Sequence, residues 1–317
     1  MLYILNPLNH LRAVRRWANL HGVQIHLSAS SWSLTLTRGT QVQHMAPRFV
    51  TQREGRLCYI RAFEEAGAFA GWHPPEPESW LLASDKLAFK RQASAMGLRV
   101  PAGWKGAEPL AENFLVKKCS GSFGLNIEGP FDARAWDYVQ AMAQGSYCEQ
   151  FVTGRSAKAW CWNREVVALE LVESPYLVGD GVRSLEALAA RRGNVGQALP
   201  LDKAAAMLAW QGLTSASIPE VGQKVLLDFK YATPFDAPVF ENRNVWSTQE
   251  EAIRHQFAKA ASLLGKCMPA QLHGRQMFTL DAVVDEQGRV WFLEMNSHPM
   301  IHPDVYSSML ETLTRGA

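Results

Sequence analysis

Two kinds of apolar spacing alternate along the chain. Strict alternation of apolar and polar residues in "VQIHLSAS" and "WSLTLTRG" predicts β-strands near the N-terminus. Apolar residues at helical spacing, with charged residues on the opposite face, predict a helix over residues 248–265. The short apolar run at residues 2–5 predicts a further strand. We therefore expect a mixed α/β (α+β) fold.

A proline-rich segment separates the first part of the chain from the rest. "GWHPPEPESW" holds three prolines between positions 74 and 77, which excludes regular structure and indicates a boundary. A helix is predicted directly afterwards, in "KLAFKRQASAMG", with Ser84 or Asp85 as its N-cap. Residues 1–83 are therefore predicted to form a small N-terminal α/β domain.

The last two apolar segments, "QMFTLDAVV" and "RVWFLEMN", predict a β-hairpin. A two-residue turn at 287–288 would pair Glu286 with Arg289 and place Asp281 directly opposite Glu294. Opposite side chains lie on one face of a sheet, so these two carboxylates would repel unless a positive charge lay between them. The hairpin therefore predicts a cation site. Acidic residues on a solvated sheet face are the alternative interpretation.

Asn296 would add a third oxygen donor, because residues 294 and 296 of one strand share a face. Hard oxygen ligands without sulfur or imidazole suit Mg²⁺ or Mn²⁺ rather than Zn²⁺. Magnesium usually keeps several waters and takes further ligands from phosphates. The hairpin therefore also predicts a phosphate-bearing ligand.

Two earlier segments could bind such a ligand. In "KKCSGSFGLN", Lys117 ends a strand, and Gly121 and Gly124 allow backbone N–H groups to turn toward an anion. A flexible hairpin turn is the alternative, since the segment is neither a Walker loop nor G-x-G-x-x-G. Glu149 begins "EQFVTG", whose backbone could hydrogen-bond the edge of a purine. Its alternative is a buried glutamate paired with a lysine.

Taken in order, several motifs resemble those of one family. They are "SDKLAFKRQASAMGLRVPAG", "LVKKCSGSFGLNI", "EQFVTG", "LVGDGVRSLEALAARR" and "FLEMNSHPMIHPDVY". Together they resemble the ATP-grasp superfamily of carboxylate–amine ligases, over residues 84–310. The "GDG" segment is similar to the branch that contains cyanophycin synthetase and the bifunctional glutathione synthetases.

This resemblance implies a fold, three domains and a set of ligands. The implied ATP-grasp fold holds the nucleotide between two antiparallel-sheet subdomains. Residues 84–157 would form the central subdomain and residues 158–317 the C-terminal one, after a substrate domain at 1–83. The implied cofactors are ATP and Mg²⁺, with Mn²⁺ as a substitute.

The resemblance also assigns binding residues. The implied ATP-binding residues are Lys86, Lys117, Gly121, Ser122, Glu149, Gln150, Val152, Ser156 and Lys158, and the implied metal ligands are Asp281, Glu294 and Asn296. Ser156 stands where the family usually has an acid near the ribose, and Lys158 where the branch usually has an arginine. Residues 231–244 also depart from the branch pattern, which implies a different amino-substrate pocket.

The implied reaction activates a carboxylate as an acyl phosphate, which an amine then converts to an amide. Lys230 is the candidate for contacting the transferred phosphate, and Arg243 and Arg275 for holding a substrate carboxylate or the tetrahedral intermediate. His298 is a candidate general base, with a substrate-lining role as its alternative. Two other functions stay open: a ligase that modifies a ribosomal precursor peptide, and an inactive ATP-binding regulatory module.

Charge, cysteine content and the length of apolar runs limit the kinds of binding partner and the location expected for this protein. The formal charge of +2, from 32 basic and 30 acidic residues, gives no global field for nucleic acid or anionic membranes. Five cysteines without a CxxC pair argue against a disulfide framework or a zinc site and favour a reducing cytoplasm. No apolar run reaches the roughly 18 residues of a membrane span. We expect small amino-acid or peptide substrates, and a homodimer is compatible with the resemblance because many relatives dimerise.

Overall fold

Antiparallel sheets with helices packed against them form the described part of the chain. Four sheets are present there, with five, four, two and four strands. The mixed α/β fold class predicted from the sequence is therefore confirmed. The computed structural model describes residues 2–53, 56–62, 64–65, 67–73, 78–105, 110–119, 127–135, 146–192, 199–237, 239–297 and 299–315.

The N-terminal part consists of two helices and one sheet. Helix α2 (Pro7–His21) begins where the Asn6 side chain accepts a hydrogen bond from the N–H of Leu8. The sheet contains β1 (Gln24–Leu27), β2 (Leu34–Arg38), β3 (Gln41–Arg53), β4 (Arg56–Ile60) and β5 (Ala68–His73).

Residues 2–5 form helix α1 (Leu2–Leu5), so the predicted strand is wrong there. A short apolar run fits a buried helix as well as a strand, and periodicity cannot separate the two. Ile4 is buried in a cluster with Trp72 and Trp160, and its carbonyl contacts the His10 ring. Tertiary packing therefore decides the conformation of this segment.

The central part joins one helix to a four-stranded sheet. Helix α3 (Lys86–Ala95) starts at Asp85, whose carboxylate accepts from the N–H of Ala88 at 2.8 Å, as the capping pattern predicts. The N–H of Lys86 donates to the carbonyl of Cys119, which ties the start of the helix to the end of the strand at residues 113–118. The sheet order is β6-β9-β7-β8, from β6 (Gly103–Trp104), β7 (Asn113–Lys118), β8 (Ile127–Asp132) and β9 (Ser146–Gln150).

A second four-stranded sheet forms the C-terminal part. Its order is β11-β10-β14-β15, from β10 (Arg155–Trp162), β11 (Glu165–Val172), β14 (Met277–Val284) and β15 (Val290–Asn296). One face packs on helix α6 (Glu251–Gly265) through side chains such as Ala159, Leu280 and Phe257. Because side chains alternate, their neighbours in sequence point to the other face, which lines the candidate site.

The remaining elements lie between these strands or close the chain. Strand β12 (Tyr176–Val178) pairs with β13 (Lys224–Leu226), near α4 (Leu185–Arg192) and α5 (Ala205–Trp210). Helix α7 (Val305–Arg315) packs against α2 and carries Tyr306, whose hydroxyl contacts His10. No helix among the described residues is long and apolar enough to cross a membrane.

The final hairpin has the predicted pairing of Asp281 with Glu294 but a different loop. Asp285 and Arg289 close a three-residue loop in which Gly288 has a φ of 71°, so the predicted two-residue turn is wrong. The Asp285 carboxylate accepts from the N–H groups of Gln287 and Arg289, which stabilises the longer loop. The pairing is then Val284 with Val290, one residue out of the predicted register.

A β-bulge corrects that offset before the carboxylates. The register shifts between Asp281 and Ala282, where Leu293 is the extra residue on β15. Asp281 therefore lies opposite Glu294, and Thr279 opposite Asn296. The predicted Asp281–Glu294 pair is confirmed although the turn that motivated it is not present.

Candidate active site

One cavity of about 700 Å³ between the two four-stranded sheets contains most of the predicted site residues. Sequence segments separated by more than 100 residues meet there, because β7 and β9 supply one wall and β10, β14 and β15 another. The predicted residues that line it are Lys86, Lys117, Glu149, Gln150, Val152, Ser156, Lys158, Lys230, Asp281, Glu294 and Asn296.

A row of charged side chains crosses the C-terminal sheet. Glu294 lies opposite Asp281, Asp281 opposite Lys158, and Lys158 opposite Glu170, so the four share one face. Asp281 and Lys158 are joined by an ion pair of 2.5 Å. Lys86 and Arg243, from outside the row, pair with Glu294 and Glu170, so each of the three carboxylates has a cation nearby.

Each carboxylate of the predicted metal site has its own lysine. Lys86 Nζ lies 2.7 Å from Glu294, and Lys158 Nζ contacts Asp281. The Asn296 amide donates to both acids, at 3.1 Å to Asp281 and 3.3 Å to Glu294. Three oxygen-bearing side chains therefore converge at one point, as the hairpin pattern predicts.

The two acids have opposite pKa shifts. Burial raises the pKa of Asp281, with Lys158 opposing and Glu294 adding to the shift. Burial also acts to raise the pKa of Glu294, but Lys86, Lys117 and Asn296 together outweigh it and leave that pKa lowered. The raised pKa of Asp281 reflects the cost of a second negative charge beside Glu294 in a buried position.

The donor set fits a magnesium ion. Two carboxylates and an amide oxygen are hard ligands, and an inversion of the Asn296 amide would turn its oxygen toward the acids. Within the described residues no cluster of three or more His, Cys, Asp or Glu side chains could hold a metal ion. The third protein donor would therefore be Asn296, with further ligands from phosphate or water.

Glu149 organises a second charged cluster. Its carboxylate, 1% exposed, lies 2.5 Å from Lys117 Nζ and 2.7 Å from Lys90 Nζ. The hydroxyl of Tyr147 donates to it at 2.9 Å. The alternative interpretation of Glu149, a buried acid paired with a lysine, therefore describes its side chain, and its backbone belongs to β9.

The electrostatics of this cluster follow from burial. Burial by itself raises the pKa of Glu149, but Lys117 and Lys90 outweigh that effect and hold the pKa at about 2. Burial lowers the pKa of Lys90, although Glu149 opposes the shift. The carboxylate therefore stays ionised and holds Lys117 at the edge of the cavity.

The cavity has an apolar region on each side of these charges. On one side Leu115, Phe151 and Met207 form a cluster, with Leu226 and Phe229 packed against it. On the other side Ile4 and Trp160 belong to a separate cluster, against which Tyr231 and Met300 pack. We call the first the proximal end and the second the distal end.

Lys230 follows strand β13 rather than closing it. The strand ends at Leu226, and the Asp228 carboxylate accepts from the N–H groups of Phe229 and Lys230, which satisfies the backbone outside a sheet. Lys230 nevertheless lines the cavity. Ser156 donates its hydroxyl to the Phe229 carbonyl at 2.8 Å and fixes this segment against β10.

Two predicted arginines lie outside the set that lines the cavity. Arg243 Nη2 donates to Glu170 at 2.8 Å, and Tyr231 donates its hydroxyl to the same carboxylate at 2.5 Å. Arg275 is exposed and donates to the carbonyl of Gln271. Gly121, Ser122, Gly124 and His298 lie outside the described residues.

Sequence reasoning missed several residues of the site. Lys90 lies one turn after Lys86 on α3, and that spacing could have indicated a second lysine on the same face. Glu170 is opposite Lys158 on the neighbouring strand, which a register for the β10–β11 hairpin could have indicated. Thr279 precedes Asp281 by two positions and shares its face, but a single threonine gives no sequence signal.

Comparison with known proteins gives one family match and several structural similarities. Residues 229–315 match the model of the tubulin-tyrosine ligase family. No curated protein matches the sequence.

Among solved structures, the chain is similar to a bifunctional glutathione synthetase from Pasteurella multocida, with a TM-score of 0.44, 16% identity, and coverage of 97% of this chain and 43% of that chain. A D-alanine–D-alanine ligase from Bacillus anthracis gives a TM-score of 0.41, 12% identity, and coverage of 74% and 67%. The ATP-grasp ligase PsnB, complexed with a precursor variant, Mg and ADP, gives 0.38, 11%, and coverage of 73% and 58%.

The chain spans less than half the length of the glutathione synthetase. The tubulin-tyrosine ligase family model matches only the C-terminal residues of this chain. That matched segment contains Lys230 and all three proposed metal ligands.

Proposed function

We propose that the protein is an ATP-dependent ligase that activates a carboxylate as an acyl phosphate and joins it to an amine. One observation carries the proposal: two facing carboxylates, each paired with its own lysine, lie with an asparagine and further lysines in a single cavity. Phosphoryl transfer needs positioning and charge neutralisation more than a protein nucleophile, and this site offers both.

The proposed reaction has two steps. A substrate carboxylate oxygen attacks the γ-phosphorus of ATP, the bond to the bridging oxygen breaks, and ADP leaves. The amine nitrogen then attacks the acyl carbon, the bond to the phosphate oxygen breaks, and inorganic phosphate and a proton leave. Bound Mg²⁺ would neutralise phosphate charge during the first step.

The residues of this chain have distinct proposed roles. Asp281, Glu294 and Asn296 would hold Mg²⁺, and Lys86 and Lys158, which now neutralise the acids, would turn toward phosphate oxygens. Lys117 is already held at the cavity edge by Glu149. The cluster of charges therefore exchanges internal ion pairs for contacts with the nucleotide.

The proximal end is the proposed adenine site. Phe151 and Met207 give it an apolar surface, and the backbone of Gln150 and Val152 borders it. The N–H of Gln150 donates to the carbonyl of Ala102, whereas the N–H of Val152 donates to no other described residue. Val152 is therefore the proposed donor to the purine edge.

The two other functions make different demands on the site. An inactive regulatory module would not need both carboxylates and Asn296, which favours the active ligase. A peptide-modifying ligase would use the same chemistry with a long peptide as substrate. We therefore propose free amino acids or short peptides first and test a long peptide as a separate substrate.

The test is ADP and phosphate release by the purified chain with ATP, Mg²⁺ and pools of amino acids and dipeptides, with mass spectrometry of amide products. Glu294→Gln should reduce turnover by about a hundredfold or more, because it removes a charged metal ligand. Glu286→Gln, at an exposed position of the same hairpin, is the matched control and should keep full activity.

ATP binding without phosphate release in every pool would support the regulatory module instead. Full activity of Glu294→Gln would exclude the proposed metal site. A reaction seen only with a long peptide would support the peptide-modifying ligase.

A further inference from the structure

We propose that the distal end of the cavity binds the large apolar side chain of an amino-acid substrate, and that the Thr279 hydroxyl binds the polar group of that substrate. This inference rests on the proposed ligase function and names its substrate class. The distal end is lined by Ile4, Tyr59, Trp160, Thr279, Pro299 and Met300.

The walls of the distal end are apolar and fixed. Trp160 is 1% exposed, and its indole N–H donates to the carbonyl of Met300 at 2.8 Å, so its polar atom is already used. Ile4 and Trp160 belong to one buried cluster, with Met300 packed against it. A ligand therefore meets carbon surface on these sides, and the apolar area it would bury belongs mainly to the partly exposed Tyr59 and Met300.

None of the six lining residues is ionised at neutral pH. Burial raises the pKa of Tyr59 to about 12, although Arg48 opposes the shift, so its phenol is neutral. The nearest part of the charged row is Lys158, and its ammonium is paired with Asp281. A charged substrate side chain would lose its hydration without gaining a counter-ion from these six residues, and the Arg48 guanidinium lies against the Tyr59 ring rather than on the cavity wall. This arrangement disfavours aspartate or lysine as the substrate.

Thr279 is the exception to this apolar lining. Its side chain is 0% exposed, and its hydroxyl has no hydrogen-bond partner among the described residues. Buried polar groups are normally paired, so a buried hydroxyl without a partner calls for an explanation. Thr279 borders the cavity, and a rotation of its side chain toward the cavity would let a bound substrate group provide that partner.

The position of Thr279 connects it to the proposed chemistry. It lies opposite Asn296 and two residues before Asp281 on the same face of β14, a separation of about 7 Å along a strand. A substrate group bound by Thr279 would therefore be next to the carboxylates that hold the metal. The amino or carboxylate group of the substrate fits this place, and its side chain would extend toward Trp160 and Ile4.

The N-terminal part completes this compartment. The carbonyl of Ile4 contacts the His10 ring, and the other ring nitrogen of His10 contacts the Tyr306 hydroxyl at 2.9 Å. The same hydroxyl accepts from the N–H of Trp72. Helix α1 is thereby anchored to helix α7, which explains how residues near the N-terminus form a wall of a site whose metal ligands lie near residue 290.

Isothermal titration calorimetry with Mg²⁺ and a non-hydrolysable ATP analogue tests the inference without requiring turnover. Leucine, methionine and phenylalanine should bind at least about ten times more tightly than aspartate or lysine. Thr279→Val removes the hydroxyl at nearly constant volume and should weaken leucine binding about tenfold, while Thr279→Ser should stay within about twofold.

The melting temperature separates a binding role from a structural one. Because the hydroxyl has no internal partner among the described residues, Thr279→Val should leave the melting temperature unchanged or raise it. A lowered melting temperature, or unchanged leucine affinity in Thr279→Val, would overturn the role of Thr279. Tighter binding of aspartate or lysine, or no binding of any of the five amino acids, would overturn the apolar compartment.

These outcomes are distinguishable from failure of the ligase proposal. Leucine binding that depends on the Thr279 hydroxyl, without ADP release in the presence of ATP, would overturn the ligase and leave the compartment intact. ADP release stimulated by charged amino acids alone would retain the ligase and overturn the compartment.

Discussion

The proximal and distal ends of the cavity differ in how their polar groups are satisfied. Beside the proximal end, Glu149 is ion-paired with Lys90 and Lys117 before any ligand arrives. At the distal end the Thr279 hydroxyl lacks a partner among the described residues. A site that keeps its ions paired stays folded when empty, whereas a single unpaired hydroxyl is a small cost that a specific ligand can remove.

The two ends also differ in where their residues come from. The proximal end is bordered by residues 149–152, which lie within one recognisable sequence motif, although its apolar residues come from several segments. The distal end combines residues as far apart as Ile4, Trp160 and Met300. The proposed nucleotide site is therefore partly recognisable from the sequence, whereas the proposed substrate compartment depends on tertiary packing.

The largest expected effect comes from breaking the paired charges beside the proximal end. Glu149→Gln should lower the free energy of unfolding by about 3–5 kcal/mol, because it leaves Lys90 and Lys117 buried without a counter-ion. Urea unfolding measures this change. Asp202→Asn removes an exposed ion pair and serves as the control, with no measurable change expected.

The difference in unfolding free energy between the wild type and Glu149→Gln should depend on pH. The folded pKa of Glu149, about 2, lies below the usual glutamate value of 4.5, so its contribution is complete above pH 4.5 and is lost as the pH falls toward 2. The difference in unfolding free energy between the wild type and Glu149→Gln should therefore be constant at neutral pH and shrink in acid. A constant difference down to pH 2.5 or so would contradict the lowered pKa.

A smaller effect should separate the two ends kinetically. Met207→Ala removes apolar surface at the proximal end and should raise the KM for ATP about tenfold, with little change in the KM for the amino acid. Met300→Ala at the distal end should do the reverse. Each variant is the control for the other, and a parallel rise of both KM values in both variants would show that the ends are not independent.

The smallest effect is expected at Arg275. Its side chain is exposed and donates to the carbonyl of Gln271, outside the residues that line either end. Arg275→Gln should therefore leave kcat and both KM values within about twofold, and unfolding within about 0.5 kcal/mol. A loss of activity with unchanged stability would instead support the predicted role of Arg275 in holding the substrate.

Local sequence signals predict the parts of the fold that depend on local physics. The Asp85 cap, the helix over residues 251–265 and the final hairpin follow from capping and periodicity. The helix at residues 2–5 does not, because its conformation depends on packing against distant tryptophans. The three-residue hairpin loop was missed because the Asp285 side chain competes with the expected turn for backbone N–H groups.

The same division holds for the candidate site. Asp281, Glu294 and Asn296 could be placed together because strand geometry fixes which side chains share a face. By contrast, Glu149 is paired with Lys90, which lies on a helix more than 50 residues earlier. No local sequence pattern connects these two residues. Arg243 was predicted to hold a substrate carboxylate, and in the structure it contacts the protein's own Glu170.

The β-bulge at Leu293 has a consequence for comparing related sequences. Because the extra residue lies between the hairpin loop and Glu294, a chain that lacked it could still pair its acid with the residue equivalent to Asp281. The number of residues between the loop glycine and the glutamate would then differ by one between two proteins with the same site. An alignment anchored on the loop glycine would then shift the glutamate by one position. Related sequences should therefore be aligned on the Glu-x-Asn spacing, with a gap allowed at position 293.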